Sequence, residues 1–221
     1  MSISTSVIIT NFNRKAYLGR AIRSCLKQTA DRSSYEVIVV EDCSTDESKE
    51  VIVGFKDKVI PIYLDQNVGV AEASNIGIKS ALGNFIIRVD SDDYISENTI
   101  LFMSEILTNN PEIGFVYSDH YRVDKNEAVL ERVNINTLDL LFRHGAGVMF
   151  RKSYLEAIGL YDKDLRNAED FDLLKRYIKN FNGYHLILPL YKYRQHEGNM
   201  TKDEEERKKW EAKSNEKNTN R

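Results

Sequence analysis

Short apolar runs alternate with amphipathic stretches through the first part of the chain. The runs are rich in β-branched residues, as is typical of buried strands, and occupy residues 6–10, 37–40, 59–64 and 85–89. The stretches between them place apolar residues at helical spacing, and they cover residues 16–29, 47–55 and 71–81. This alternation predicts an α/β fold, with a mostly parallel central sheet flanked by helices on both faces.

The second half of the chain has a less regular pattern. Apolar spacing predicts helices at residues 98–107, 138–142, 154–158 and 171–178, an edge strand at 115–123 and a late strand at 184–190. From Lys202 onward nearly every residue is charged or an amide, apart from Trp210, which predicts a solvated helix or disorder. We expect one domain over residues 1–201, with halves 1–96 and 97–201, and a charged tail over 202–221.

Three of the predicted strands end in polar or acidic residues. These ends carry Asn11 to Asn13, Glu41 with Asp42, and the acidic run from Asp90 to Asp93. In mostly parallel sheets, ligands bind at the carboxyl ends of the strands, where the loops converge. The pattern therefore predicts one shared ligand site at this edge of the sheet.

Composition and charge narrow the class of protein. With 221 residues, of which 42% are hydrophobic, the chain is not of the disordered class. A formal net charge of -3 provides no overall field for nucleic acid or for an anionic bilayer. Cys25 and Cys43 fit a reducing compartment, and no run of about 18 apolar residues occurs. We expect a cytoplasmic protein that makes at most peripheral contact with the inner face of a membrane and binds no nucleic acid.

The acidic run Asp90-Ser91-Asp92-Asp93 is the sharpest local feature of the sequence. Carboxylates two residues apart, just after a strand, can reach a hard cation such as Mn²⁺ or Mg²⁺, while a substrate diphosphate supplies further oxygen ligands. The competing interpretation is a polar loop whose aspartates cap the helix that follows.

A second carboxylate pair, Glu169-Asp170, comes at the start of a predicted helix. An acid in that position is ordinarily a favourable charge on the helix dipole. Sugar transfer with inversion, however, needs a base on the face opposite the leaving group, and a carboxylate from a distant segment meets that need.

Two further polar segments are candidates for ligand contact. Residues 67–77 form the start of a predicted helix and include a glycine, which lets the backbone approach a ligand closely. The free backbone N–H groups at the N-terminus of this helix favour a negatively charged ligand. A tight turn into a packed helix is the competing interpretation. His196, near Arg194, is a candidate for a metal or diphosphate contact, although a lone histidine is usually not a ligand. We assign no role to His120, His144 or His185.

With these residues in place, the sequence resembles glycosyltransferase family 2, the inverting enzymes of the GT-A fold, from about Ser6 to Thr201. Five motifs match in order, at residues 7–14, 40–46, 67–77, 90–93 and 147–170. The resemblance implies that Asp170 is the catalytic base, that Glu169 lies on the acceptor side and that Asp92 binds the metal, for which His196 is the second candidate ligand. It implies nucleotide-sugar contacts from Thr10, Phe12, Asn13, Asp42, Asn67, Asn75, Asp90 and Ser91.

The resemblance implies transfer of a sugar from a nucleotide diphosphate sugar to a saccharide or lipid-linked acceptor, with a UDP-sugar as the favoured donor. It also implies a place in the synthesis of cell-surface polysaccharide or glycolipid. Residues 1–96 would bind the nucleotide sugar and 97–201 the acceptor, with Mn²⁺ or Mg²⁺ as cofactor. Thr10 replaces a common proline, Glu41 a common aspartate, and residues 118–145 match no subgroup. The sequence does not decide whether the protein forms a homodimer.

Two alternatives remain beside this interpretation. A non-catalytic module would bind the nucleotide sugar without turnover. A nucleotidyltransferase would share the sheet, but the loop after the first predicted strand, Asn11-Phe12-Asn13-Arg14, lacks the glycines that such an enzyme normally carries there. An NAD-dependent oxidoreductase is disfavoured for a similar reason, since no G-x-G-x-x-G follows a strand.

Overall fold

A computed structural model describes residues 3–165, 168–199 and 204–219. Within these residues one sheet contains β1 (Thr5–Asn11), β2 (Tyr35–Glu41), β3 (Ile60–Tyr63), β4 (Phe85–Asp90), β5 (Tyr94–Ile95), β6 (Ile113–Val123), β7 (Val129–Val133), β8 (Val148–Arg151) and β9 (Asn182–Arg194). The helices are α1 (Lys15–Leu26), α2 (Ser48–Val53), α3 (Val70–Ser80), α4 (Thr99–Asn109), α5 (Leu138–His144), α6 (Lys152–Ala157), α7 (Glu169–Ile178) and α8 (Glu204–Thr219). A short 3₁₀ helix, Arg32–Ser34, precedes β2.

The first half of the sheet is wholly parallel, with strand order β3-β2-β1-β4. Successive side chains of β1 point to opposite faces: Ile9 packs in the cluster that contains Leu18 of α1, and Ile8 packs in the one that contains Ile78 of α3. A β-carbon on Gly77 of α3 would lie 2.5 Å from Cγ2 of Ile8, so this helix approaches the sheet closely. The predicted α/β fold is confirmed, with helices on both faces.

The second half of the sheet mixes strand directions. β8 joins β4 antiparallel, β6 joins β8 antiparallel, and β9 lies parallel to β6. β6 therefore lies inside the sheet, and the predicted edge strand at 115–123 was wrong in this respect. The reason is that β8 has only four residues and was not predicted, while β9 extends from Asn182 to Arg194, beyond the expected 184–190.

The charged tail contains a helix that is not solvated on every side. Ser214 of α8 is fully buried, and its hydroxyl donates to Oδ1 of Asp172 in α7 at 2.9 Å. Lys217 forms an ion pair of 3.0 Å with Asp162. The expected helix is therefore present over Glu204–Thr219, with the correction that one face packs against α7, and residues 202–203 and 220–221 of the tail lie outside the described residues. In the described ranges, no helix is both long and apolar enough to cross a membrane.

Candidate functional site

The polar ends of β1, β2 and β4 lie side by side in the structure. Thr10 pairs in register with Val40 on one side and with Asp90 on the other, and Asn11 pairs with Glu41. The carboxyl ends of the three strands therefore form one edge, as expected for a ligand site in a parallel sheet.

Asp42 fixes the loop that leads into α3. Its Oδ1 accepts a hydrogen bond from the backbone N–H of Val68 at 2.7 Å, and its Oδ2 accepts from the N–H of Gly69 at 2.9 Å and from the side-chain amide of Asn67 at 3.0 Å. Burial raises the pKa of Asp42, and these backbone donors work against that rise. The structure brings Asp42 and Asn67 together, and their contacts with a nucleotide base stay a prediction.

The loop after β1 is tied to the loop after β2. Asn13, whose φ is 52°, accepts a hydrogen bond from the N–H of Thr45 at 2.8 Å through its side-chain oxygen, and its own N–H donates to Ser44 at 3.0 Å. Thr10 is buried, whereas Phe12 is 44% exposed. An aromatic face left open at this edge offers a flat apolar surface to a planar ring.

Asp92 meets two basic side chains. Its Oδ2 accepts a hydrogen bond from Nε of Arg14 at 3.1 Å and lies 2.9 Å from Nε2 of His196. Because Nδ1 of His196 accepts from the N–H of Gly198 at 3.2 Å, we assign the ring proton to Nε2, which donates to Asp92. Burial opposes the charge on Asp92, but the bonds from His196 and Arg14 hold its pKa below the ordinary value.

The other members of the acidic run differ in exposure. Asp93 is buried and accepts hydrogen bonds of 2.8 Å from the hydroxyl of Tyr191 and from the N–H of Arg194. Ser91 is also buried, whereas the side chain of Asp90 remains 36% exposed. Asp93 is thus hydrogen-bonded to two residues of β9, which leaves Asp90 and Asp92 as the members of the run that can contact a ligand.

Arg88 joins the acidic run to the distant pair Glu169-Asp170. Its Nη2 donates to Oδ2 of Asp170 at 2.5 Å and lies 3.5 Å from Oδ1 of Asp90, while its Nη1 lies 3.7 Å from Oε1 of Glu169. Burial, and then the charge of Asp170, raise the pKa of Glu169 to about 7. Burial likewise raises the pKa of Asp90 to about 6, against the opposing charge of Arg88. The structure therefore brings these three predicted carboxylates around one guanidinium.

Gly145 leaves the space that Asp170 occupies. It ends α5 with a φ of 53°, in the left-handed region that glycine favours. A β-carbon at this position would lie 2.6 Å from Cβ of Asp170, which is closer than two carbon atoms that are not bonded to each other can approach. The predicted base is thus enclosed by a glycine on one side and by Arg88 on another.

Asn75 makes its hydrogen bonds with Tyr161 and with Glu72 of its own helix. Its side-chain amide donates to the carbonyl oxygen of Tyr161 at 2.9 Å, and its side-chain oxygen accepts from the N–H of Tyr161 at 3.0 Å. The ring of Tyr161 in turn lies 5.3 Å from Cζ of Arg88. Asn75 therefore fixes the segment that covers Arg88, and its predicted contact with the nucleotide sugar stays a prediction.

Three residues of the site were not assigned from the sequence. Arg88 is a charge inside an apolar strand, two residues before Asp90 and so on the same face, and that placement is a usable signal. Arg14 follows Asn13 directly in the first strand-end loop. Gly145 carried no such signal, because its importance depends on contact with a residue 25 positions later.

The residues that could hold a divalent cation form a small set. Within the described ranges, no group of three or more His, Cys, Asp or Glu side chains is placed to bind a metal. Asp92 and His196 supply one carboxylate and one imidazole, a pair that suits Mn²⁺ if substrate oxygens and water complete the shell. The pair therefore fits a cation that arrives with a diphosphate.

Solved structures define the class of this fold. The chain is similar to Staphylococcus aureus TarS 1-349 in complex with UDP-GlcNAc, with a TM-score of 0.77 and 23% identity over 91% of this chain and 61% of that chain. It is also similar to the mannosyltransferase PcManGT from Pyrobaculum calidifontis in complex with GDP-Man and Mn²⁺, with a TM-score of 0.76 and 15% identity over 100% of this chain and 65% of that one. The fold is the GT-A fold of glycosyltransferases.

The sequence comparison then gives the family. Residues 6–159 match the model of glycosyl transferase family 2, and the chain belongs to this family. An uncharacterized glycosyltransferase of Haemophilus influenzae is 28% identical over 200 residues, which is 84% of this chain and 66% of that protein. The TarS poly(ribitol-phosphate) β-N-acetylglucosaminyltransferase of Staphylococcus aureus is 33% identical over 98 residues, 43% of this chain and 17% of that protein. The chain spans about two thirds or less of the length of these relatives.

Proposed function

We propose that this protein transfers a sugar, with inversion, from a nucleotide diphosphate sugar to a hydroxyl of a saccharide or lipid-linked acceptor. One observation carries the proposal: Asp170, from the start of α7, lies beside Asp90, at the end of β4, with Arg88 between them. A donor seated on the strand ends would then have a carboxylate from a separate segment next to it. Single-displacement sugar transfer needs that arrangement.

We assign each proposed role to a particular side chain. Phe12 offers an exposed face to the base, and Thr10 and Asp42 lie at the adjoining strand ends. Asp170 accepts the proton of the acceptor hydroxyl as the oxygen attacks the anomeric carbon. The bond from that carbon to the diphosphate breaks, and the nucleoside diphosphate leaves with the electron pair.

We propose UDP-sugar as the donor and Mn²⁺ or Mg²⁺ as the cofactor. TarS is described in complex with UDP-GlcNAc and PcManGT with GDP-Man and Mn²⁺, which supports a nucleotide-sugar donor for a protein of this fold. Asp92 and His196 would hold the cation, which supplies positive charge against the leaving diphosphate. To coordinate through Nε2, the neutral imidazole of His196 would carry its ring proton on Nδ1 instead, and Nδ1 would then no longer accept from the N–H of Gly198.

The test is a calorimetric and thermal-shift panel of UDP, GDP, CDP and dTDP, each with and without Mn²⁺. We expect one nucleotide to bind tightly, and to do so only with the metal. Asp92→Ala should weaken metal and nucleotide binding together, while Asp164→Ala, at an exposed carboxylate away from the strand ends, should leave both unchanged. Metal dependence that survives Asp92→Ala would remove Asp92 as a ligand.

A second assay separates an enzyme from a binding module. Release of the nucleoside diphosphate from UDP-GlcNAc or GDP-mannose, with water or a sugar acceptor, would show turnover. Donor binding without release against any acceptor would favour a non-catalytic module. No binding by any of the four nucleotides would contradict both.

A further inference from the structure

Arg88 is a charged side chain in an apolar strand. It lies in β4, two residues before Asp90 and on the same face, with 10% of its side chain exposed. Removing a guanidinium from water is strongly unfavourable unless opposite charges lie beside it to offset the lost hydration. The partners of Arg88 should therefore explain why the strand carries a charge there.

The ion pairs that Arg88 makes within the described residues all connect it to the candidate site. The shortest joins Nη2 to Asp170, and the other two reach Asp90 and Glu169. Its Nη1 is buried and makes no hydrogen bond with the described part of the chain, and the same holds for Oε2 of Glu169. Arg88 is thus held by charges rather than by a full set of hydrogen bonds.

Two other arginines show what a structural role looks like in this protein. Arg151 donates to three backbone carbonyl oxygens, at distances from 2.5 to 3.0 Å. Arg176 donates to two carbonyl oxygens and to Asp172. Both tie segments of backbone together, whereas Arg88 donates, within the described residues, to the carboxylate of Asp170.

The surroundings of Asp170 leave it few other constraints. Gly145 stands against its Cβ, and Tyr161 covers Arg88 from the other side, with its ring 5.3 Å from Cζ. The side chain of Asp170 is 24% exposed. Among the described residues, Arg88 is the side chain that donates a hydrogen bond to this carboxylate, and Gly145 limits the space beside it.

We propose that Arg88 is the positioning residue of the transfer reaction, and that its guanidinium fixes the carboxylate of Asp170 relative to the Asp90 end of β4. This inference rests on the proposed function, in which Asp170 is the base. Arg88 makes and breaks no bond with substrate, and it acts through Asp170. A displacement of about 1 Å in a reacting group can lower the rate roughly 10²-fold, which sets the expected effect.

The kinetic test uses Arg88→Met, Arg88→Lys and the double variant with Asp170→Asn, assayed by release of nucleoside diphosphate from the donor sugar. We expect Arg88→Met to lower kcat about 10²-fold while KM for the donor changes little. Arg88→Lys should recover part of the loss, because it restores the charge. The double variant should be no slower than Asp170→Asn alone, since residues that act as a unit are not additive. Arg122→Met, at an exposed ion pair, is the control.

A structural readout keeps the inference testable apart from turnover. Crystal structures of the wild type, Arg88→Met and Arg88→Lys would show where the Asp170 carboxylate lies. We expect it to move away from Gly145 in Arg88→Met and to stay in Arg88→Lys. An unmoved carboxylate, or multiplicative losses in the double variant, would overturn the positioning role. An inactive wild type with a displaced carboxylate in Arg88→Met would instead count against the proposed function alone.

Discussion

The parallel half of the sheet and the mixed half fix their polar side chains by different means. At the ends of β1 and β2, Asp42 and Asn13 are bonded to backbone N–H groups of neighbouring loops. Glu169 and Asp170, from the mixed half, depend on the side chain of Arg88 and on the space left by Gly145. The parallel half, which we propose binds the donor, is therefore held by backbone hydrogen bonds, whereas the proposed acceptor side depends on a few side-chain contacts.

This difference has a consequence for mutation. A backbone donor remains when a single side chain is replaced, whereas an ion pair is lost when either partner is changed. We therefore expect substitutions in the mixed half to change turnover while donor binding survives.

Asp170→Asn should produce the largest effect. The amide cannot accept the proton of the acceptor hydroxyl. Because a correctly positioned general base contributes about 10²–10⁴ in rate, kcat should fall by that factor. Donor binding, measured by calorimetry, should persist because the strand ends are untouched. Asp164→Asn, at an exposed carboxylate of the same half, is the control. Full activity in Asp170→Asn would make the base assignment wrong.

Gly145→Ala should disturb the same carboxylate from the opposite side. The new methyl group would lie 2.6 Å from Cβ of Asp170, so that side chain has to move, and kcat should fall roughly 10²-fold. Gly159→Ala is a matched control, because Gly159 also has a positive φ, of 90°, but has open space at the Cβ position. It should lose stability through backbone strain alone and retain turnover. Equal loss of kcat in both variants would show that backbone strain is the cause.

The two halves also differ in how much of them the sequence predicts. The strands β1 to β4 and their helices follow local periodicity, and their polar ends are adjacent because parallel strands end at the same edge. β8 has four residues and β5 two, too few for a period to appear, so the inner position of β6 was missed. The buried face of α8 was missed as well, because it is made by polar residues such as Ser214.

The site divides in the same way. Asp90, Asp92 and Asp170 are predictable because carboxylates at element ends stand out locally, and their grouping around Arg88 is visible only once α7 is placed. The roles of Gly145 and of Asn75 depend on contacts with Asp170 and Tyr161, which are far along the chain. Long-range contacts of this kind leave no periodic pattern in a single sequence.

Glu169 makes the stability of the mixed half depend on pH. Its folded-state pKa of about 7 lies above the ordinary 4.5, so the folded protein binds this proton more tightly than the unfolded chain does. The contribution of Glu169 to stability is therefore present below pH 4.5 and is lost as the pH rises to 7. The whole effect is up to about 3 kcal/mol. Glu169→Gln should gain stability relative to the wild type between pH 4.5 and pH 8.

Chemical denaturation at several pH values measures this difference. The gain in the free energy of unfolding of Glu169→Gln over the wild type should increase from pH 4.5 to pH 7 and level off above pH 7. Glu156→Gln, at a carboxylate with 52% of its side chain exposed on α6, controls for the loss of one negative charge. A difference between Glu169→Gln and the wild type that stays constant with pH would contradict a buried carboxyl that resists ionisation.

Ser214→Ala should produce the smallest effect, and it tests whether α8 supports the helix that carries Asp170. Asp172 in α7 is fully buried and accepts from Ser214 at 2.9 Å, from Asn218 at 2.9 Å and from Arg176 at 2.8 Å. Loss of one of these donors should lower the free energy of unfolding by roughly 1 kcal/mol, since the other two remain. Ser80→Ala, at an exposed helical serine of the parallel half, should change it less. If Ser214→Ala matches Ser80→Ala in the free energy of unfolding, the Ser214 hydrogen bond does not stabilise the packing of α8 on α7.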